Sequence, residues 1–277
     1  MAFSAKVIKD SVGPNGVRIT TMELTFPRIV LAEFNTHRVF SRNSASSRAI
    51  PVEKMLARVM SDPFIPVYWG KNQKGMQADE ELSEEQVRDA TKKWLDARDK
   101  AVESARLMME LGVHKQITNR LLEPFLWHTV IVTSTEWSNF FALRTHKDAQ
   151  PEIRAIAILA LDAYNSSEPT FLESGQAHLP LVDDREQLHA DGYTLMDVIK
   201  ISVGRCARVS YLTHDGKRDP KADIELCDRL IQAGHMSPME HVAFAEDHID
   251  WWGNFRGWKQ WRKTLPYEAD YGSRPKD

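Results

Sequence analysis

The alternation of apolar and polar positions is clearest at Val17-Arg18-Ile19-Thr20-Thr21-Met22-Glu23-Leu24-Thr25-Phe26, where a period of two predicts a strand. The turn residues Gly13-Pro14-Asn15-Gly16 precede it, so a hairpin with the opening stretch is expected. Pro27 then opens a helical pattern through Phe34, and Pro51 restarts one after residues 35–50, an interval rich in Ser, Arg and Asn. That interval reads as too basic for a core. Residues 72–85 read as an exposed connection, and Ser83 with Gln86 makes the capping box of a helix running to about Leu111, where Gly112 supplies the C-cap. Residues 114–122 predict a short helix stopped near Pro124, and Val130–Val132 reads as a strand or a buried connection.

From Glu136 the spacing of Trp137, Phe140, Phe141 and Leu143 is helical, and Pro151 starts a second helix carrying Ile153, Ile156, Ala157, Ala160 and Tyr164. Residues 165–191 read as loop. Residues 197–211 and 220–233 read as helices, with Gly234 as a stop, and residues 242–244 begin a short apolar segment. Helices mixed with a few strands, without a regular βαβ alternation, predict an α+β fold.

Composition narrows the class. The chain has 277 residues, 42% hydrophobic and 27% charged, and Lys+Arg 36 against Asp+Glu 39 leaves a net charge of −3. Any polyanion is therefore bound locally, and a nucleic-acid partner is not expected. Two cysteines, Cys206 and Cys227, provide neither a disulfide framework nor a cysteine zinc site, which suits a reducing cytoplasm. No apolar run reaches the roughly 18 residues that span a bilayer, so no membrane is expected. Walker, G-x-G-x-x-G and G-x-S-x-G patterns do not occur.

Four segments carry candidate chemistry. Residues 37–48 place three guanidiniums, one imidazole and four hydroxyls within twelve residues. Planar guanidinium donors with hydroxyls around them suit a phosphate, while a solvated loop capping the helix after Pro51 is the plainer alternative. His235-Met236-Ser237-Pro238-Met239-Glu240-His241 lacks the spacing that puts two imidazoles on one helical face, so no metal is expected there, and Ser237-Pro238 reads as the start of a helix or turn. Asn139 and Arg144 lie about 140° apart round a helix, where the arginine reads as a C-terminal cap, an ion-pair partner or a functional group. Residues 254–263 interleave aromatics with cations, as either a stacking platform or, more cheaply, a Trp-rich amphipathic helix on the core.

Together these segments resemble the flavin-dependent thymidylate synthases (the ThyX family). Its signature R-H-R-x-x-S-x-N-E-x-S-x-R-Y is matched at His37, Arg38, Ser41, Asn43, Ser46 and Arg48, while Thr36, Ser44 and Ala49 stand where it has Arg, Glu and Tyr. Asn139 through Arg144 to Gln150-Pro151-Glu152-Ile153 is similar to the family's N-F-L-x-L-R-x-x-x-H-A-Q-x-E-I, with Asp148 in place of His. Cys206–Tyr211 and residues 234–244 resemble its A-R-V-S and H-x-S/T-P-x-E-H segments. In the family these come first, so the chain reads as circularly permuted.

The resemblance implies a ThyX-like fold, a small antiparallel sheet packed with several helices. It implies one catalytic domain over residues 1–277, with 56–104 as a helical insertion of unclear role and 245–277 as a Trp/Arg-rich C-terminal arm. The implied reaction is transfer of a methylene from methylenetetrahydrofolate to C5 of dUMP, reduced by a hydride from FAD that NADPH has reduced. A related flavoenzyme modifying another pyrimidine nucleotide, for example by hydroxymethylation, or a non-catalytic nucleotide- or nucleic-acid-binding protein, are the alternatives. Carried over by position, Arg144 would be catalytic and contact the uracil. Ser44, Ser46, Arg48 and Arg120 would bind dUMP with it. His37, Arg38, Asn43, Asn139, His235, Ser237 and Glu240 would lie at FAD. The family implies a homotetramer with interfacial sites. Gln260-Trp261-Arg262 is a candidate to replace the amide and cation that the divergent signature lacks.

Overall fold

The computed structural model describes residues 2–211, 218–270 and 272; Tyr271 and residues 273–277 of the expected C-terminal arm lie outside them. The expected hairpin is present as β1 (Ser4–Val12) and β2 (Arg18–Pro27), paired antiparallel. A 3₁₀ turn, Arg28–Val30, and the four-residue α1 (Leu31–Phe34) follow, then β3 (Ser41–Ser44), α2 (Val52–Ser61), α3 (Glu84–Glu110) and α4 (Lys115–Thr118). Strand β4 (Trp127–Ser134), α5 (Ser138–Arg144) and α6 (Pro151–Ser166) complete the first part. Among the described residues no helix is long and apolar enough to cross a membrane.

The main sheet has the order β3-β4-β2-β1-β5, with β5 (Thr170–Phe171) joining β1 in parallel and the other pairs antiparallel. The period-two pattern read in the sequence has its physical consequence here. Met22, Leu24 and Phe26 of β2, with Val130 and Val132 of β4, share one face and form a buried cluster with Phe140 and Phe141 of α5 and Ile153, Ile156 and Ala157 of α6. The opposite face carries hydroxyls in register: Thr21 faces Thr133 and Thr25 faces Thr129, with Oγ1–Oγ1 distances of 2.7 and 2.9 Å.

That polar face is covered by the C-terminal part. Here β6 (Ala177–His178), α7 (Arg185–Ala190), α8 (Leu195–Ala207), α9 (Pro220–Gln232), the 3₁₀ turn Ser237–His241 and β7 (Ala243–Ala245) follow in order. Then come β8 (Trp251–Trp252), β9 (Phe255–Arg256), β10 (Trp258–Gln260) and the 3₁₀ turn Trp261–Thr264. Strands β10, β7 and β6 form a second sheet. Between the sheets, His178 Nε2 meets Thr21 Oγ1 at 2.9 Å, His178 Nδ1 meets Ser11 Oγ at 2.9 Å, and His241 Nδ1 meets Thr133 Oγ1 at 2.8 Å.

Three expectations are corrected. Residues 35–50 do enter the core: β3 is the edge strand beside β4, and His37, Ser41, Asn43 and Ser47 are buried, because their polar groups are met by backbone and side chains of neighbouring segments. Residues 165–191 hold β5, β6 and α7 rather than loop alone; two-residue strands are set by pairing partners, which local pattern does not report. The Trp-rich tail is strand and turn, not an amphipathic helix. Trp258 is fully buried against Val17, Ile19 and Phe255, and its Nε1 donates to the Val17 carbonyl at 3.0 Å.

Residues 56–104 pack α2 and α3 against Leu122, Phe125 and Leu126 in a cluster of their own. Helix α3 begins at the expected Ser83–Gln86 capping box, and Gly112 follows it at φ 77, the left-handed conformation that ends helices cheaply only with glycine.

Burial fixes the protonation of the covered histidines. Desolvation pushes His241 down to about 3; the same effect, with Arg28 nearby, takes His128 to about 3, and His178 falls well below its usual value. The unfolded chain therefore takes up protons near pH 6.5 that the folded protein refuses. The stability these groups contribute is present above about pH 6.5 and is lost as pH falls towards 3, at up to about 1.4 kcal/mol per pH unit for each imidazole. Thermal melts should show Tm falling between pH 7 and 5, above the range where aspartates titrate. A flat Tm there would mean that these imidazoles keep ordinary pKa values.

Candidate functional site

Three stretches far apart in sequence converge on a cleft of about 560 Å³. Strand β3 and the turn after it supply Arg42, Asn43, Ser44, Ser46, Arg48 and Ala49; the start of α4 supplies His114 and Gln116. Ala207 at the end of α8, Leu230 of α9, and His235, Ser237 and Pro238 form the remaining wall. Two guanidiniums, two imidazoles and three hydroxyls face the space, and among the described residues no carboxylate lines it.

The residue 45–50 turn is held from behind. Asn119 Nδ2 donates to the Ser47 and Ile50 carbonyls at 2.7 and 2.9 Å, Lys115 Nζ to the Ala49 carbonyl at 3.0 Å, and Ser47 Oγ to Glu123 Oε1 at 2.7 Å. Asn43 Nδ2 reaches the Cys206 carbonyl at 3.4 Å, tying β3 to the end of α8. That end is fixed by charge. Asp223 of α9, 1% exposed, lies against Arg208 and 3.5 Å from Arg205, and Arg205 also pairs with Asp184 at 2.7 Å. Gly204 permits this approach: a Cβ there would meet the Asp223 carbonyl at 2.4 Å.

A second cluster lies at the end of α5. Arg144 Nε donates to His37 Nε2 at 3.0 Å, and its Nη2 donates to the Glu33 carbonyl at 3.2 Å and Thr36 Oγ1 at 3.0 Å. His37 packs among Phe40 and Phe140. Burial, followed by the charges of Arg144 and Arg42, brings its pKa down to about 4, so the ring is neutral at pH 7 and presents a bare Nε2 to the arginine. Thr36 serves here as an acceptor for Arg144, which an arginine could not do.

Of the site residues read from the sequence, Asn43, Ser44, Ser46, Arg48, His235 and Ser237 meet in the cleft. Arg144 and His37 form the second cluster, where Arg38 and Asn139 are exposed nearby in sequence. Arg120 pairs with Glu123 at 2.7 Å and does not line the cleft. Glu240 is paired with Arg262, whose Nε also donates to Glu268 at 2.8 Å. The C-terminal arm thus brings an amide to the signature segment, with Gln260 Nε2 donating to Ser41 Oγ at 3.0 Å and to the Glu240 carbonyl at 3.1 Å, while the Arg262 guanidinium is spent on two carboxylates. The cleft residues not singled out in the sequence as ligand-binding are Arg42, Ala49, His114, Gln116, Ala207, Leu230 and Pro238. Arg42 had a signal in the density of guanidiniums in residues 37–48, and Ala207 and Pro238 lie within segments that resemble the family's.

A family model described as thymidylate synthase complementing protein matches residues 17–170, and the chain belongs to that family. The fold agrees. A UMP/dUMP methylase, PolB, from Streptomyces cacaoi, solved with 5-Br dUMP, is similar at a TM-score of 0.50 and 15% identity, over 59% of this chain and 90% of that one. The same protein solved with 5-Br UMP gives a TM-score of 0.49 and 14% identity, over 59% and 88%. No curated protein matches the chain. Family membership makes this a nucleotide methyltransferase of the thymidylate-synthase type.

Proposed function

We propose that the protein converts dUMP to dTMP, taking a methylene from methylenetetrahydrofolate and a hydride from FAD reduced by NADPH. The observation that carries the reading is the cleft itself: guanidiniums, imidazoles and hydroxyls, with no lining carboxylate among the described residues, make a donor set for a phosphorylated ligand. Ser44, Ser46 and Arg48 would hold the dUMP phosphate. His235 and Ser237 on the facing wall and Asn43 on β3, with His37, Arg38 and Asn139 towards the second cluster, would hold FAD, whose pyrophosphate suits the same donor chemistry. When bound, the flavin supplies the hydride.

Arg144 would place positive charge on the uracil as C5 becomes nucleophilic. Its Nε is held by a neutral His37, so its own charge is not cancelled by a carboxylate. In a homotetramer of the family's kind these sites would be completed between subunits. The Ser237–His241 turn packs beside β3, so segments that come first in the family meet the signature strand here although they follow it in the chain, as circular permutation allows.

The test is an absorbance spectrum of the purified protein, followed under anaerobic conditions after reduction with NADPH and addition of dUMP and methylenetetrahydrofolate. Flavin reoxidation with formation of dTMP is expected. Bound flavin without dTMP, or product from UMP alone, would replace this reaction with modification of another pyrimidine nucleotide. In the same assay Arg48→Gln should raise KM for dUMP by about 10- to 100-fold, the equivalent of one lost charge-assisted contact of roughly 1.5–3 kcal/mol. An unchanged KM would remove Arg48 from the phosphate subsite.

A further inference from the structure

Arg42 occupies a position that the family signature leaves unspecified, between Ser41 and Asn43 on the edge strand. It lines the cleft, and its Nη1 is buried with no hydrogen-bond partner among the described residues. The usual structural roles for a half-buried guanidinium are taken elsewhere. The acid whose charge reaches it, Glu240, is paired with Arg262, and no aromatic ring among the described residues is stacked under it. A desolvated guanidinium nitrogen left unpaired is costly, and the cost is relieved by an acceptor entering the cleft.

We propose that Arg42 binds a phosphate group of the ligand in this cleft, acting as a second guanidinium together with Arg48. The inference deepens the nucleotide reading above and rests on it. The chemistry is that of a phosphate dianion or a pyrophosphate: several acceptor oxygens, full negative charge, and a geometry that a planar fork of donors meets in pairs. Ser44, on the same face of β3 as Arg42 by the two-residue period, and Ser46 beyond the strand end add hydroxyls to the same ligand. The phosphate of dUMP and the pyrophosphate of FAD are the two sources of this chemistry.

The experiment compares the full-length protein with Arg42→Gln and Arg42→Lys, measuring binding of dUMP, deoxyuridine and FAD by calorimetry, with folding checked by circular dichroism. For Arg42→Gln the dUMP affinity should fall by at least about tenfold while deoxyuridine binding is unchanged, and Arg42→Lys should fall between. A loss confined to FAD supports the same chemistry with the flavin pyrophosphate as its source. Unchanged affinity for both, or an equal loss for dUMP and deoxyuridine, overturns the proposal. Should the variants fail to fold, the wild-type protein is treated with phenylglyoxal, with and without inorganic pyrophosphate, and adducts are mapped by mass spectrometry. Protection of Arg42 supports the proposal and unprotected labelling overturns it. If wild-type protein binds neither dUMP nor FAD, the nucleotide reading fails, and the pyrophosphate protection still decides on Arg42 by itself.

Discussion

Replacing Arg144 by alanine is expected to lower kcat for dTMP formation by about 10²- to 10³-fold, the usual effect of removing one donor aimed at developing negative charge. The guanidinium is half-buried at the end of α5 and held by three acceptors, so its orientation is set before substrate arrives. Those contacts are near the surface, and the variant should melt within a few degrees of wild type. Arg144→Lys keeps the charge but loses the planar fork, and it should recover only part of the rate. A separate readout comes from His37. Burial holds its pKa down and the charge of Arg144 adds to the effect, so in Arg144→Ala the imidazole should titrate above its wild-type value of about 4, visible by NMR. A kcat within threefold of wild type together with a raised His37 pKa would make Arg144 an electrostatic neighbour of His37 rather than a catalytic residue.

Asp223→Asn should destabilise the protein by about 3–5 kcal/mol, because removing one member of a buried ion pair strands the other. Asp223 is almost fully buried between Arg205 and Arg208, and Arg205, also buried, keeps Asp184 while Arg208 loses its carboxylate. Helices α8 and α9 meet here, and each contributes to the cleft, through Ala207 and Leu230. The variant should therefore also bind dUMP more weakly. The check is a urea denaturation series on Asp223→Asn with a dUMP titration. Stability within about 1 kcal/mol of wild type would show that water replaces the carboxylate at little cost.

The outcome for the sequence reading follows from which signals are local. Strand β2, the capping box of α3, the C-cap at Gly112 and the proline starts of α2, α6 and α9 depend on residues within a few positions of each other, and each is where the pattern puts it. The tail was misread for the opposite reason. Trp258 and Trp261 are apolar at a spacing that suits a helix face, yet pairing of β10 with β7 decides their conformation, and that partner lies more than a dozen residues upstream. Residues 35–50 look like surface by composition, since polar side chains enter a core only when distant groups satisfy them. Asn119, Cys206 and Gln260 do so here.

The same division holds for the candidate site. By itself the sequence determined the family and the residue types that can meet a phosphate, because six signature positions and the Asn139–Arg144 segment are short-range patterns. Only the tertiary structure decided which of them share a space. It joined Ser44, Ser46 and Arg48 to His235 and Ser237, set Arg144 against a neutral His37, engaged Glu240 and Arg120 in ion pairs, and brought Arg42 into the cleft wall. Burial and long-range ion pairing determine what a side chain can still bind, and neither is a property of its neighbours in sequence.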